Sequence, residues 1–178
     1  MREDERQEGV VEPHGRSPRQ LDTSNSQASL TEAIQHSLSP QQTVRVESES
    51  VAATLVGIPR LDVSEFVYSH QTRDGSQQPV ALFDVRNRSD RPVRWQSNRT
   101  QFIGDDEYTY RPASLSLDPS KLGPGCHTRQ VEIAPGRRAR IVTLVEELPP
   151  NVDIVEVIHS LPRRTGAPGL ERLVFSRG

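Results

Sequence analysis

Cys126 and His127 stand side by side in a glycine- and proline-rich stretch, and a thiol beside an imidazole is the pairing in this chain that could make a nucleophile. A working thiolate needs a base within hydrogen-bond reach and a third group to orient that base. Neighbours on an extended chain project to opposite sides, so His127 is badly placed to activate Cys126, and neither residue is assigned a catalytic role. Gly104-Asp105-Asp106-Glu107 collects three carboxylates, the oxygen ligands that calcium prefers. Their order lacks the alternate-residue spacing of a calcium loop and suits the tip of a turn. The five histidines, at 14, 36, 70, 127 and 159, show no metal-ligand spacing. The expectation is therefore a chain that is not an enzyme, with no cofactor and no metal, although a site assembled from distant residues would leave no such mark.

Arginine is the other source of chemistry. Lys121 is the single lysine among 22 basic residues. Arg86, Arg88, Arg91, Arg94 and Arg99 flank one turn, Arg137, Arg138 and Arg140 form a second group, and Arg163-Arg164 a third. A guanidinium fork suits bidentate recognition of oxyanions, and Arg88, Arg91, Arg137 and Arg138 are the candidate contacts. The alternative is that these charges solvate strand faces and discourage edge pairing. Net charge is −2, distributed unevenly. Residues 1–42 hold seven acids and four arginines, a balance of −3, while the remainder holds 17 acids against 18 bases, a balance of +1. A nearly neutral domain lacks the electrostatic footprint of a nucleic-acid binder. Asn87-Arg88-Ser89 and Asn98-Arg99-Thr100 match the glycosylation sequon, which an export signal would make meaningful.

The elements that position these residues are mostly strands. Val80–Trp95, VALFDVRNRSDRPVRW, alternates apolar and polar on both sides of Asn87–Pro92 and reads as a β-hairpin closed by a polar turn. TVRVES, VAATLVGI, LDVSEFVYS, QFI, EYTYR, TRQVEI, RRARIVTLVEEL, VDIVEVIHS and LERLVFS read as further strands, and Asp74-Gly75 marks another hairpin tip. Residues 112–127 form a long Pro/Gly/Ser-rich connection. The pattern predicts an all-β fold, an antiparallel two-layer β-sandwich over residues 43–178, with Phe83, Val85, Trp95, Val142, Leu144 and Phe175 in its core. Residues 1–42 read as a polar tail, disordered to residue 28. Within it, Ser29 and Glu32 stand in capping-box spacing, and Leu30, Ile34 and Leu38 predict a short amphipathic helix stopped before Pro40. That apolar stripe either docks on the domain's own sheet or folds into a partner's groove. Cys126 is the single cysteine, so no intrachain disulfide forms.

The order NRSDRPV, QFIGDDEYTY, IAPGRRARIVTLVEELP and a closing LVFS resembles an uncharacterised immunoglobulin-like family of bacterial and archaeal cell-surface proteins and lipoproteins. Asn87, Asp90, Pro92, Phe102, Asp105, Tyr108, Pro135, Gly136, Pro149 and Phe175 carry the resemblance, over roughly residues 60–178. It implies an immunoglobulin-like sandwich with a binding or accessory role and no established catalytic constellation. The expected partner is another protein, with arginine-mediated binding of an anion or nucleic acid as the alternative. No apolar run is long enough to span a bilayer, and the N-terminus shows no hydrophobic leader, so the sequence as given reads as cytoplasmic, or as cell-surface if a leader has been removed.

Overall fold

The computed structural model describes residues 28–38, 42–68, 77–162 and 169–177. The expected disorder before residue 28, the Asp74-Gly75 turn and Arg163-Arg164 lie outside the described residues. In chain order the elements are α1 (Leu30–His36), β1 (Val44–Glu47), β2 (Val51–Gly57), β3 (Arg60–Asp62), β4 (Gln77–Asn87), β5 (Val93–Gln96), β6 (Thr100–Gly104), β7 (Thr109–Tyr110), β8 (Cys126–His127), β9 (Gln130–Ile133), β10 (Arg138–Leu144), β11 (Ile154–Pro162) and β12 (Leu170–Ser176). One sheet runs β1-β2-β4-β10-β8, with β3 also on β4; a second runs β12-β11-β6-β7; β5 and β9 form a separate ribbon. The fold is β-rich, as the alternation requires. Pairing is antiparallel except where β8 runs parallel to β10, so the first sheet is mixed.

Two β layers and the ribbon enclose one core. Ala81, Phe83 and Val85 of β4 meet Phe102 of β6, Val157 of β11 and Phe175 of β12, with Val93, Trp95 and Ile133 from the ribbon closing it. The Phe83 ring lies 5.3 Å from Trp95 and 5.7 Å from Phe175. Removing side chains of this size from water stabilises by about 1.5–3 kcal/mol each.

The first sheet is also covered on its outer face, where the apolar stripe of α1 docks on the domain's own sheet. Leu30 and Ile34 of α1 are fully buried against Val80, Leu82, Val142 and Leu144, together with Val63, Phe66, Val67, Leu117 and Leu122. Val142 and Leu144 are therefore core residues of this second cluster, on the opposite face of β10 from Ala139 and Ile141. A seven-residue helix is too short to persist alone. It is held by its surroundings: Ser29 Oγ accepts from Glu32 N at 3.2 Å, and the Thr31 hydroxyl and amide both donate to the Leu122 carbonyl, at 2.6 and 3.1 Å. Leu38 presses on Gly57, where a Cβ would overlap the leucine side chain.

Three expectations change. The arms of the expected hairpin do not pair: β4 bonds to β2, β3 and β10, whereas β5 bonds to β9. Buried Asn87 organises the intervening arch. Its Nδ2 donates to the carbonyls of Arg91 (2.6 Å) and Ile133 (2.8 Å), and its Oδ1 accepts from Ser89 N (2.9 Å). The arch hands the chain to the ribbon, so Trp95 returns across the core from Phe83. Period-two alternation reports which face is dry and says nothing of which strand lies alongside.

Of the expected strand Leu61–Ser69, described as far as Tyr68, only Leu61 and Asp62 belong to a strand, β3. Asp62 Oδ1 accepts from Ser64 N and Phe66 N donates to Val63 O, forming a turn that aims Val63, Phe66 and Val67 at the second core. The connection 112–127 ends in a strand of its own, β8. Asp118 caps a 3-10 turn at Pro119–Lys121, and Leu117 and Leu122 are buried.

Candidate functional site

The four arginines singled out by sequence share one end of the molecule. Asn87 N donates to Arg137 O at 2.9 Å, which sets the Ala134–Arg137 turn against the arch carrying Arg88 and Arg91. Arg88 meets Glu47 at 3.1 Å and Arg138 meets Asp84 at 2.6 Å; Arg91 and Arg137 are exposed. Asp84 holds the Arg138 guanidinium above its ordinary range. Exposed pairs of this kind contribute little to stability, because solvent screens them. Leu30 and Ile34 face the chain's own sheet, and Leu38 is half-buried against Gly57.

The remaining sequence candidates are engaged structurally. Cys126 sits beneath α1, where burial raises its thiol pKa against a smaller opposing effect of the Thr31 hydroxyl. Asp106 uses both carboxylate oxygens on its own turn, accepting from Tyr108 N at 3.1 Å and from the Tyr110 hydroxyl at 2.6 Å. The latter bond, with desolvation, pushes the Tyr110 phenol up to about 12. Among the described residues no group of three or more His, Cys, Asp or Glu is placed to hold a metal.

A different site emerges at the opposite end of the ribbon. Where β5 leaves for β6 through the short 3-10 turn Ser97–Arg99, the chain opens a cleft of about 640 Å³. Its walls come from Gln96–Asn98, Thr100-Gln101, Arg111–Ala113 and Arg129-Gln130. A smaller hollow of about 230 Å³ shares Ser97, Pro112, Ala113 and Arg129 and reaches Thr143 and Leu144 of β10. None of the residues lining either cavity is acidic.

The hydroxyls beneath the cleft are fixed. Ser97 Oγ and Thr143 Oγ1 lie 3.0 Å apart, both residues buried. Thr100 Oγ1 is 2.7 Å from Nδ1 of His159. The imidazole has no exposed surface and stacks on Trp95, with centroids 3.5 Å apart and planes within 5°. Burial, helped by the charge of Arg99, pushes the His159 pKa down to about 3, so the ring is neutral at physiological pH. Its Nε2 and the Trp95 Nε1 are buried without a hydrogen-bond partner among the described residues.

The two cleft arginines are held by their backbones. Arg129 adopts a left-handed conformation (φ 63°), uncommon for a residue with a side chain. It is secured by Ser97 N donating to its carbonyl at 2.7 Å and by its own guanidinium donating to Ser116 Oγ. Arg111 exchanges main-chain bonds with Glu146: its N–H donates to the Glu146 carboxylate and its carbonyl accepts from Glu146 N, both at 2.9 Å. Among the described residues no carboxylate forms an ion pair with either guanidinium.

Sequence reading missed this site because its parts come from four separated stretches. One signal was available. His159 shares its strand phase with Val157 and Leu161, and Thr143 shares its phase with Ile141, so each is a polar residue at an inward position.

No protein-family model matches the chain, and no curated protein matches it. The crystal structure of the yjhA protein from Bacillus subtilis is similar over 65% of this chain and 76% of that chain, at 9% identity and a TM-score of 0.45. At that level of likeness neither fold nor activity transfers.

Proposed function

We propose that this chain is a non-enzymatic, immunoglobulin-like interaction domain whose partner is another protein, and that the cleft beside Ser97 is its contact surface. The observation that carries the reading is the make-up of that cleft. It offers Arg111, Arg129 and neutral amides at its walls over hydroxyls already committed, Ser97 to Thr143 and Thr100 to His159. Such a surface orients and binds. General acid–base work needs an accessible group with a pKa near the operating pH, and His159 is buried, neutral and tied to Thr100. Cys126 belongs to the other core, under α1.

A second reading rests on the gathering of Arg88, Arg91, Arg137 and Arg138 at the far end of the ribbon, which would suit an anion or nucleic acid. Arg88 and Arg138 already have carboxylate partners there.

Site-specific photo-cross-linking separates the two. A photoreactive residue at Gln101, on the cleft rim, should yield one discrete protein adduct in cells, and the same group at Arg91 should not. Adducts at Arg91 alone, or nucleic acid recovered from that position, would reverse the assignment.

A further inference from the structure

We infer that the cleft recognises an acidic peptide segment of the partner, with Arg111 and Arg129 receiving its carboxylates. The inference rests on the cleft being the contact surface and names the chemistry it accepts.

Three observations point there. Arg111 and Arg129 line an open cavity and form no ion pair with a carboxylate among the described residues, unlike Arg88, Arg94 and Arg138, which meet Glu47, Glu132 and Asp84. A cavity whose lining residues include two arginines and no acid is complementary to negative charge, although the Glu146 carboxylate lies at the Arg111 main chain, and arginine clusters are a recurrent device for acidic motifs. Secondly, Gln96, Asn98, Gln101 and Gln130 bring side-chain amides to the same walls. Each carries both donor and acceptor, which matches the alternating N–H and C=O of an extended peptide.

Thirdly, the site is preorganised at a cost to stability. Ser97, Thr100, Thr143 and His159 place a layer of buried polar groups under the cleft, and His159 Nε2 has no hydrogen-bond partner among the described residues. Arg129 holds an unfavourable backbone conformation. Buried polar groups and left-handed side-chain residues are destabilising unless something over-determines them, and they concentrate where a site is held in shape. Nucleic acid fits less well: no aromatic ring lines the cleft for bases to stack on.

The test uses the full chain and two fluorescent hexapeptides, one of alternating Glu and Gly and one with Gln in place of Glu, followed by anisotropy. The Glu peptide should bind at least about tenfold more tightly than the Gln peptide, weaken with added salt, and lose that preference in Arg111→Gln/Arg129→Gln. Arg88→Gln/Arg91→Gln should bind as the parent does. Amide NMR shifts on titrating the unmodified protein give a readout independent of the variants, and should centre on Ser97, Asn98 and Gln130. No preference for Glu over Gln, or shifts centred on the Arg88–Arg91 arch, overturns the inference. Competition by inorganic phosphate at the concentration where a free carboxylate peptide competes would also overturn it, identifying a small-oxyanion site. An adduct at Gln101 without any Glu preference would leave the cleft as the contact surface and remove only the acidic character of its ligand.

Discussion

His159 is the titratable member of the polar layer under the cleft. It is a histidine in a position that its strand neighbours give to Val157 and Leu161, and it is accommodated by the Trp95 face and the Thr100 hydroxyl. Its pKa falls from 6.5 in the unfolded chain to about 3 in the folded protein. Below pH 6.5 the unfolded state therefore binds a proton that the native state refuses. This contribution to stability is complete above pH 6.5 and is lost progressively as the pH falls towards 3. Urea midpoints measured across that interval should decline more steeply for the parent than for His159→Phe; parallel declines would show that His159 is not the group responsible. Trp95→Ala removes both the stacking face and the neighbour of Phe83, and should cost about 3–5 kcal/mol by urea denaturation.

At the scale of elements, α1 behaves as part of the β-domain's packing. Deleting residues 1–42 removes Leu30 and Ile34 from above Val80, Leu82, Val142 and Leu144. The truncated protein should melt at a lower temperature and bind an apolar dye, and an unchanged melting curve would mean that the helix contributes nothing to the fold. The contact of Leu38 with Gly57 gives a finer test. Gly57→Ala should destabilise by about 1–3 kcal/mol through overpacking, and the penalty should largely vanish in a Leu38→Ala background. Additive effects in that double-mutant cycle would place the strain elsewhere.

Across the whole molecule, arginines gather at both ends of the β5–β9 ribbon. At the arch end Arg88 pairs with Glu47 and Arg138 with Asp84, beside exposed Arg91 and Arg137; at the cleft end Arg111 and Arg129 line an open cavity. Because both cleft arginines are exposed and neither forms an ion pair among the described residues, Arg111→Gln/Arg129→Gln should change stability by no more than about 0.5 kcal/mol. A larger loss by calorimetry would show that these side chains support the fold. No helix among the described residues is long and apolar enough to cross a membrane.

Local chemistry decided what sequence could determine. Alternation identified β4, β10, β11 and β12 because each has at least one dry face, and capping spacing located α1 because Ser29 acts on Glu32 three residues away. The inward phase of Phe83, Val85, Trp95 and Phe175 was legible for the same reason. Tertiary structure decided everything that depends on which strand lies beside which. It separated β4 from β5 because β2 and β10 flank β4, and it divided the predicted core between two faces because the outer face of the first sheet is also covered. It also assembled the cleft. Ser97, Arg111, Arg129 and Thr143 are remote in sequence and meet only where the ribbon, β6 and β10 converge, a coincidence of non-local pairings that no local pattern encodes.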